Sequence, residues 1–421
     1  MIFPQPVERV IRTPTSGARS RTCQDRSMRV LFAPDCFGGT LTAQQAAGAL
    51  QDGWLRAAPG DELSTCPLSD GGPGFLDTLR ASLGGQLVAV TVRSPIGDRV
   101  PAALLLVEGA DGARTAYIES SHALGLALVP PQRRDPTRTT SYGVGELIRA
   151  AVDTGAGRVV VGLGGSATND GGAGMLAALG IGSPDGVLAH GGGGLGGVTA
   201  DDLAALATVR ARLRGVDLVA ATDVDVPLLG LHGASAGFAP QKGASPAQAQ
   251  ELERALGHFA HVAVGALAED IRPDLLARAG TASPMSRLTA QPGAGAAGGL
   301  GFGLALLGAR LVPGSALVAD AVDLTRRISD VDLVVTGEGT FDWQSLHGKV
   351  VAAVAERALG VAVPTIVVAG QVTVGRRELA AAGLAAAYAV AEGPDEVAAA
   401  LADPAGTLSR RAERVAGTWS R

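Results

Sequence analysis

The chain has 421 residues, 47% of them hydrophobic and 18% charged, with a formal net charge of -5. Such a length exceeds one ordinary core and makes two domains with a cleft between them the expectation, while the mild acidity gives no electrostatic reason to bind nucleic acid or an anionic membrane. Three scattered cysteines, Cys23, Cys36 and Cys66, form no disulfide framework and point to a reducing, cytoplasmic setting.

Residues 1–27 are rich in Arg, Pro, Ser and Thr and hold no apolar run long enough for a signal peptide or a membrane span; they read as a disordered extension. A strand pattern then begins at 29–33, and further candidate strands lie at 87–92, 102–107, 158–163, 217–221, 332–336 and 365–369. Most end in a glycine-rich or acidic turn and lead into an Ala/Leu-rich helical segment, the alternation of an α/β fold. Between Leu87 and Tyr117 three strand-like runs are joined by short turns without a helix, which suits antiparallel pairing. The expected organisation is a Rossmann-like parallel-sheet domain formed by residues 28–85 and 291–421, with a second α/β domain, 86–290, inserted into it. Residues 190–197 are nearly all glycine and read as a solvent loop. The stretch 246–267 reads as an amphipathic helix, whose His258 and His261 suit packing or solvent better than zinc.

Function is expected in the loops beyond the strands, where open parallel sheets collect ligands. The loop 162–174 holds Gly164, Gly165, Ser166, Thr168, Asn169 and Asp170 between a strand and a helical run. Its glycines can turn backbone N–H groups toward a phosphate, and the helix start adds its positive end. Asp170 suits either a magnesium ion or helix capping. A second glycine-rich loop, 292–303, carries Gly293, Gly295, Gly298 and Gly299; it suits ligand contact or close packing on small residues. A third, 336–342, sets Gly337, Glu338 and Asp342 at a strand end, a donor pair that fits magnesium. Asp35, Asp70 and Asp223 lie in acidic turns and are candidates for the base that receives a hydroxyl proton, with turn formation as the competing role.

The chain contains only two lysines, Lys242 and Lys349, and one asparagine, Asn169. A lysine that persists where arginine is otherwise written suits a place needing a compact ammonium. Lys349 follows the third loop, and Lys242 lies in an exposed-looking turn from which it could close over a phosphate or a carboxylate. No Walker A pattern and no nucleophile elbow occur.

Taken together, the segments 33–35, 69–72, 162–174, 222–224, 240–244, 292–299 and 336–349 resemble the motif series of type I glycerate kinases, in the same order, across roughly residues 28–390. The resemblance implies an α/β kinase that uses ATP and Mg2+ to phosphorylate D-glycerate, with 2-phosphoglycerate favoured as product and a place in glyoxylate and serine metabolism. A homodimer is compatible with it. The series departs from the family at Cys36 and Gly38, where Ser and Lys are usual on either side of an aromatic residue, here Phe37. It departs again at Pro73 for Glu, Val226 for Asn, Thr340 for Arg or a similar polar group, and Trp343 for Ser. These changes leave open a catalytically silent nucleotide- or glycerate-binding relative, or a kinase of another small hydroxy acid.

Overall fold

The computed structural model describes residues 27–267 and 284–420, so all but one residue of the expected N-terminal extension lies outside the described residues. The chain enters through β1 (Arg29–Phe32) and β2 (Glu62–Thr65). It then builds β3 (Gln86–Arg93), β4 (Arg99–Glu108), β5 (Arg114–Glu119), β6 (Arg158–Leu163), β7 (Asp217–Thr222) and β8 (Arg310–Pro313). It returns through β9 (Leu333–Thr336), β10 (Thr340–Phe341), β11 (Thr365–Ala369), β12 (Gln371–Val372) and β13 (Ala386–Ala389).

Two main sheets result. The first is parallel throughout, in the order β13-β11-β9-β1-β2. The second runs β3-β4-β5-β6-β7-β8, antiparallel across β3-β4-β5 and parallel from β5 onward. The fold is therefore α/β, with the early and late segments sharing one sheet and the intervening segment forming the other.

The sequence dictates much of this. In β6, Val159, Val160 and Val161 are buried on both faces, as central parallel strands covered by helices require. Helix Ala43–Ala57 starts at a capping box in which Thr42 Oγ1 accepts from Gln45 N and Gln45 Oε1 accepts from Thr42 N. Ser245 and Gln248 repeat that device, with Pro246 at the first helical position, to open helix Pro246–Ala266. The sheets share an apolar filling in which Leu31, Leu68 and Val334 of one side meet Tyr117, Val160 and Val219 of the other. Each fully buried Leu or Phe there contributes about 2 kcal/mol.

Three features differ from expectation. β2, β8 and β13 were not legible as strands, because each is a short edge strand without the run of buried apolar residues that marks the equally short β1 and β9. β8 adds to the second sheet beyond residue 290 as an edge strand ending in Pro313, a position where the missing N–H costs nothing. The glycine run near 190–197 is a solvent loop only in part: Gly192–Gly197 is a 3-10 turn in which Gly192 and Leu195 are buried, next to helix Pro246–Ala266, while Gly193, Gly194, Gly196 and Gly197 are exposed. At Gly192 a Cβ would sit 2.3 Å from Asn169 O and 2.6 Å from Leu252 Cδ2. Gly192 thus permits a close contact, whereas Gly196 and Gly197 border open space. Among the described residues no helix is long and apolar enough to cross a membrane.

Candidate active site

The carboxyl ends of strands from both sheets bring their acids together in one cluster. Asp35 follows β1, Asp70 follows β2, Asp223 follows β7 and Glu338 follows β9. The loop after β1 is tied to that after β9 by Asp35 N donating to Gly337 O (2.8 Å) and Thr336 Oγ1 donating to Ala33 O (2.8 Å). The loop carrying Asp70 crosses between the sheets. A Cβ on Gly71 would lie 3.0 Å from Ala221 O, one on Gly164 would lie 2.6 Å from Gly72 Cα, and one on Gly314 would lie 1.8 Å from Asp70 O. Glycine at these positions is what lets the two sheets approach.

The electrostatics follow from that crowding. Burial and the neighbouring Asp70 and Glu338 hold Asp35 well above the usual carboxylate range. Burial first, then Asp70, pushes Asp223 up to about 7, with Lys349 pulling the other way. Glu338 is likewise raised to about 7 by burial, eased by Ser345 and Lys349. Glu338 Oε1 is buried without a hydrogen-bond partner. Although Cys36 is exposed at the surface, desolvation together with Asp35 and Asp70 beside it pushes its thiol up to about 12, which disfavours the thiolate. A half-buried Lys349, starting helix Val350–Gly360, supplies positive charge to this acidic cluster. Asp342 shapes the adjoining turn by accepting from Gln344 N (2.8 Å) and Ser345 N (3.3 Å). Beyond it the exposed Trp343 stacks on His347 at 4.2 Å.

Not every expected residue joins this cluster. Lys242 is not on an exposed turn: it is 2% exposed, and its Nζ donates to Ser166 Oγ (2.9 Å) and Thr168 O (2.6 Å). The turn folds inward because Gly243, at φ +101°, packs against the Arg134 backbone. Burial lowers the Lys242 ammonium to about 7. Asn169 is fully buried beside it and donates to Ser235 Oγ (3.0 Å). Lys242 and Asn169 thus sit together inside the second sheet's lobe, while Lys349 sits with the acids.

Asp170 is fully buried, and its carboxylate accepts from Ser141 N, Ser141 Oγ, Gly172 N and Gly174 N. Of its two open roles, capping helix Ala173–Ala178 is the one its bonds satisfy. In the second glycine loop, Gly298 (φ +72°) and Gly299 (φ +88°) face Thr168 O and Gly171 Cα, at 1.9 and 2.8 Å from where a Cβ would stand. Gly293 and Gly295 are buried against Thr222 Cγ2 and Pro227 O in the same way. These four glycines make room for neighbouring protein atoms. Gly164 and Gly165 also pack on protein, 2.6 Å from Gly72 Cα and 2.9 Å from Pro73 Cγ where a Cβ would stand, but they keep solvent access.

Sequence reasoning missed Glu119. It closes β5, is 4% exposed, and accepts from Gly74 N and Leu76 N and from Ser121 Oγ. A buried carboxylate is thus supplied to the loop that carries Pro73. The signal was an acid ending an apolar strand, Ala116-Tyr-Ile-Glu119, before two serines.

Fold and acidic cluster together define an α/β phosphotransferase. Residues 30–420 match the Glycerate kinase family. The chain is 38% identical over 395 residues to the glycerate kinase of Bacillus subtilis, covering 93% of this chain and 97% of that one. It is 40% identical over 350 residues to the glycerate 2-kinase of Escherichia coli, covering 82% and 86%. The crystal structure of a putative glycerate kinase 2 from Salmonella typhimurium superposes with a TM-score of 0.73 at 37% identity, over 93% of this chain and 98% of that one. The chain belongs to the glycerate kinase family.

Proposed function

We propose that this chain transfers the γ-phosphoryl group of ATP to a hydroxyl of D-glycerate, yielding 2-phosphoglycerate, in a groove bounded by Asp35, Asp70, Asp223, Glu338 and Lys349. The observation that carries the proposal is the convergence of four carboxylates from strand ends of two different sheets around one lysine. Phosphoryl transfer asks for positioning and charge neutralisation more than covalent chemistry. Asp223, held near 7, is suited to receive the hydroxyl proton at its carboxylate oxygen as the new O–P bond forms. Lys349 offers an ammonium to the phosphate oxygens. Gly164, Gly165 and Ser166 border the groove with short backbone, and Lys242 positions Ser166 and Thr168 from behind.

The donor set fits Mg2+. Glu338 Oε1 has no partner, Asp342 and Asp35 stand near it, and among the described residues no three acidic, His or Cys side chains close into a full cage. Magnesium takes one or two protein carboxylates and leaves its other positions to water and phosphate. Bound there it would neutralise charge on the phosphate oxygens.

Two lobes are proposed on the sheet membership, one from the early and late segments and one inserted between them. A cytoplasmic location and a homodimer remain part of the proposal. Incubation with D-glycerate, Mg2+ and ATP, followed by phosphorus NMR, tests it: a phosphate coupled to the carbon-2 proton is expected. Absence of any phosphorylated glycerate at millimolar substrate would overturn it.

A further inference from the structure

Next to the acidic cluster the first sheet carries a chemically different hollow. It is a slot of about 160 Å³ lined by residues that directly follow four parallel strands: Phe37 and Gly38 after β1, Gly339 and Thr340 after β9, Gly370 and Gln371 after β11, Val390 and Ala391 after β13. Helix Pro394–Ala402 and the start of helix Pro404–Trp419 form its opposite wall through Val397, Ala400, Leu401 and Leu408. None of the lining side chains is ionisable. Leu401 is 62% exposed at the rim, a large apolar side chain with no protein covering it.

We infer that this slot holds the adenine ring of ATP, an assignment that rests on the kinase reading above. Three observations converge on it. The sheet order places β1 where the connections reverse direction, toward β2 on one side and toward β9, β11 and β13 on the other. In open parallel sheets that reversal opens a crevice beyond the strand ends where nucleotides bind. The walls suit a flat, neutral heteroaromatic ring: aliphatic faces for stacking, with Thr340, Gln371 and Thr407 and backbone groups for its polar edge. They do not suit glycerate or phosphate, which would meet no cation there. Finally, lining residues of the slot adjoin two of the acids along the chain. Gly339 follows Glu338 directly and Phe37 lies two residues past Asp35, a Cα step being about 3.8 Å. A base seated in the slot therefore sends its ribose and phosphates along Gly38 and Gly339 toward Glu338. Gly38 and Gly39 border open space there, with nothing within 4 Å of where a Cβ would stand.

Calorimetry on the full chain with Mg-ADP and, separately, with Mg-tripolyphosphate tests the assignment. In Ala400→Trp, whose indole fills the slot, and in Leu401→Asp, a surface change that spares the fold, ADP affinity should fall at least ~30-fold and ~5-fold respectively. Tripolyphosphate affinity should stay within about twofold of wild type in both. Wild-type ADP affinity in both variants would overturn the slot while leaving the kinase reading intact. Failure of the wild-type chain to bind ADP at all would overturn both. Parallel loss of tripolyphosphate and ADP affinity would also overturn the slot, because it would place the phosphates there.

Discussion

Replacing Lys242 by Met separates the cost of burying an ammonium from the benefit of its bonds. Wild-type Lys242 is 2% exposed, donates to Ser166 Oγ and Thr168 O, and is lowered from 10.5 to about 7 by burial. That fall amounts to about 5 kcal/mol at ~1.4 kcal/mol per pH unit. Below pH 7 the group is charged in both folded and unfolded chains, and the whole cost is present. Between 7 and 10.5 the unfolded chain holds the extra proton, so wild-type stability falls as pH drops through that window toward 7 and is greatest relative to the variant at its upper end. The sign follows from proton binding: with more protons on the unfolded chain, stability rises with pH. Methionine removes the titration and leaves Thr168 O without its donor, a loss of about 1–3 kcal/mol. Urea unfolding of both proteins at several pH values gives the difference, in which all other titrating groups cancel. The wild-type advantage should grow by about 3 kcal/mol between pH 7 and 9.5. A gap that does not change with pH would show that the ammonium is not held as described.

Lys349→Met removes the ammonium beside Asp223 and Glu338; turnover should fall about 100-fold with an unchanged circular dichroism spectrum, as loss of a charge that stabilises transferring phosphate predicts. Gly298→Ala places a Cβ 1.9 Å from Thr168 O at φ +72°, which should cost about 2–5 kcal/mol in urea unfolding. Gly48→Ala, in the middle of helix Ala43–Ala57 with nothing within 4 Å, should instead stabilise by about 0.5–1 kcal/mol. The same assay checks both, and equal effects would undo the packing explanation of the glycine loop.

Strands with continuous apolar runs were legible because burial on both faces writes itself into composition: β6 and β11 fall at the expected bounds. Short edge strands such as β8 were not, since four residues held by a neighbour need no pattern of their own. For the site, the acids at strand ends could be read locally, because Asp35, Asp70 and Glu338 each sit in a turn beside glycine or proline. Whether a glycine faces a ligand or a neighbouring backbone could not. Gly165 and Gly298 look alike in sequence, yet one keeps solvent access and the other receives Thr168 O. Lys242 shows the same limit, for its turn is polar in composition and buried by a contact 74 residues away in the chain.

In the proposed reaction, four carboxylates from two sheets act as a single catalytic centre. Steady-state ADP release with D-glycerate and Mg-ATP by Asp35→Asn, Asp70→Asn, Asp223→Asn and Glu338→Gln, each alongside a thermal melt, interrogates that centre residue by residue. Turnover should fall at least ~100-fold in every variant while the melting temperature holds or rises, since each change relieves like-charge crowding. Wild-type turnover in two or more of the four would be incompatible with a shared centre.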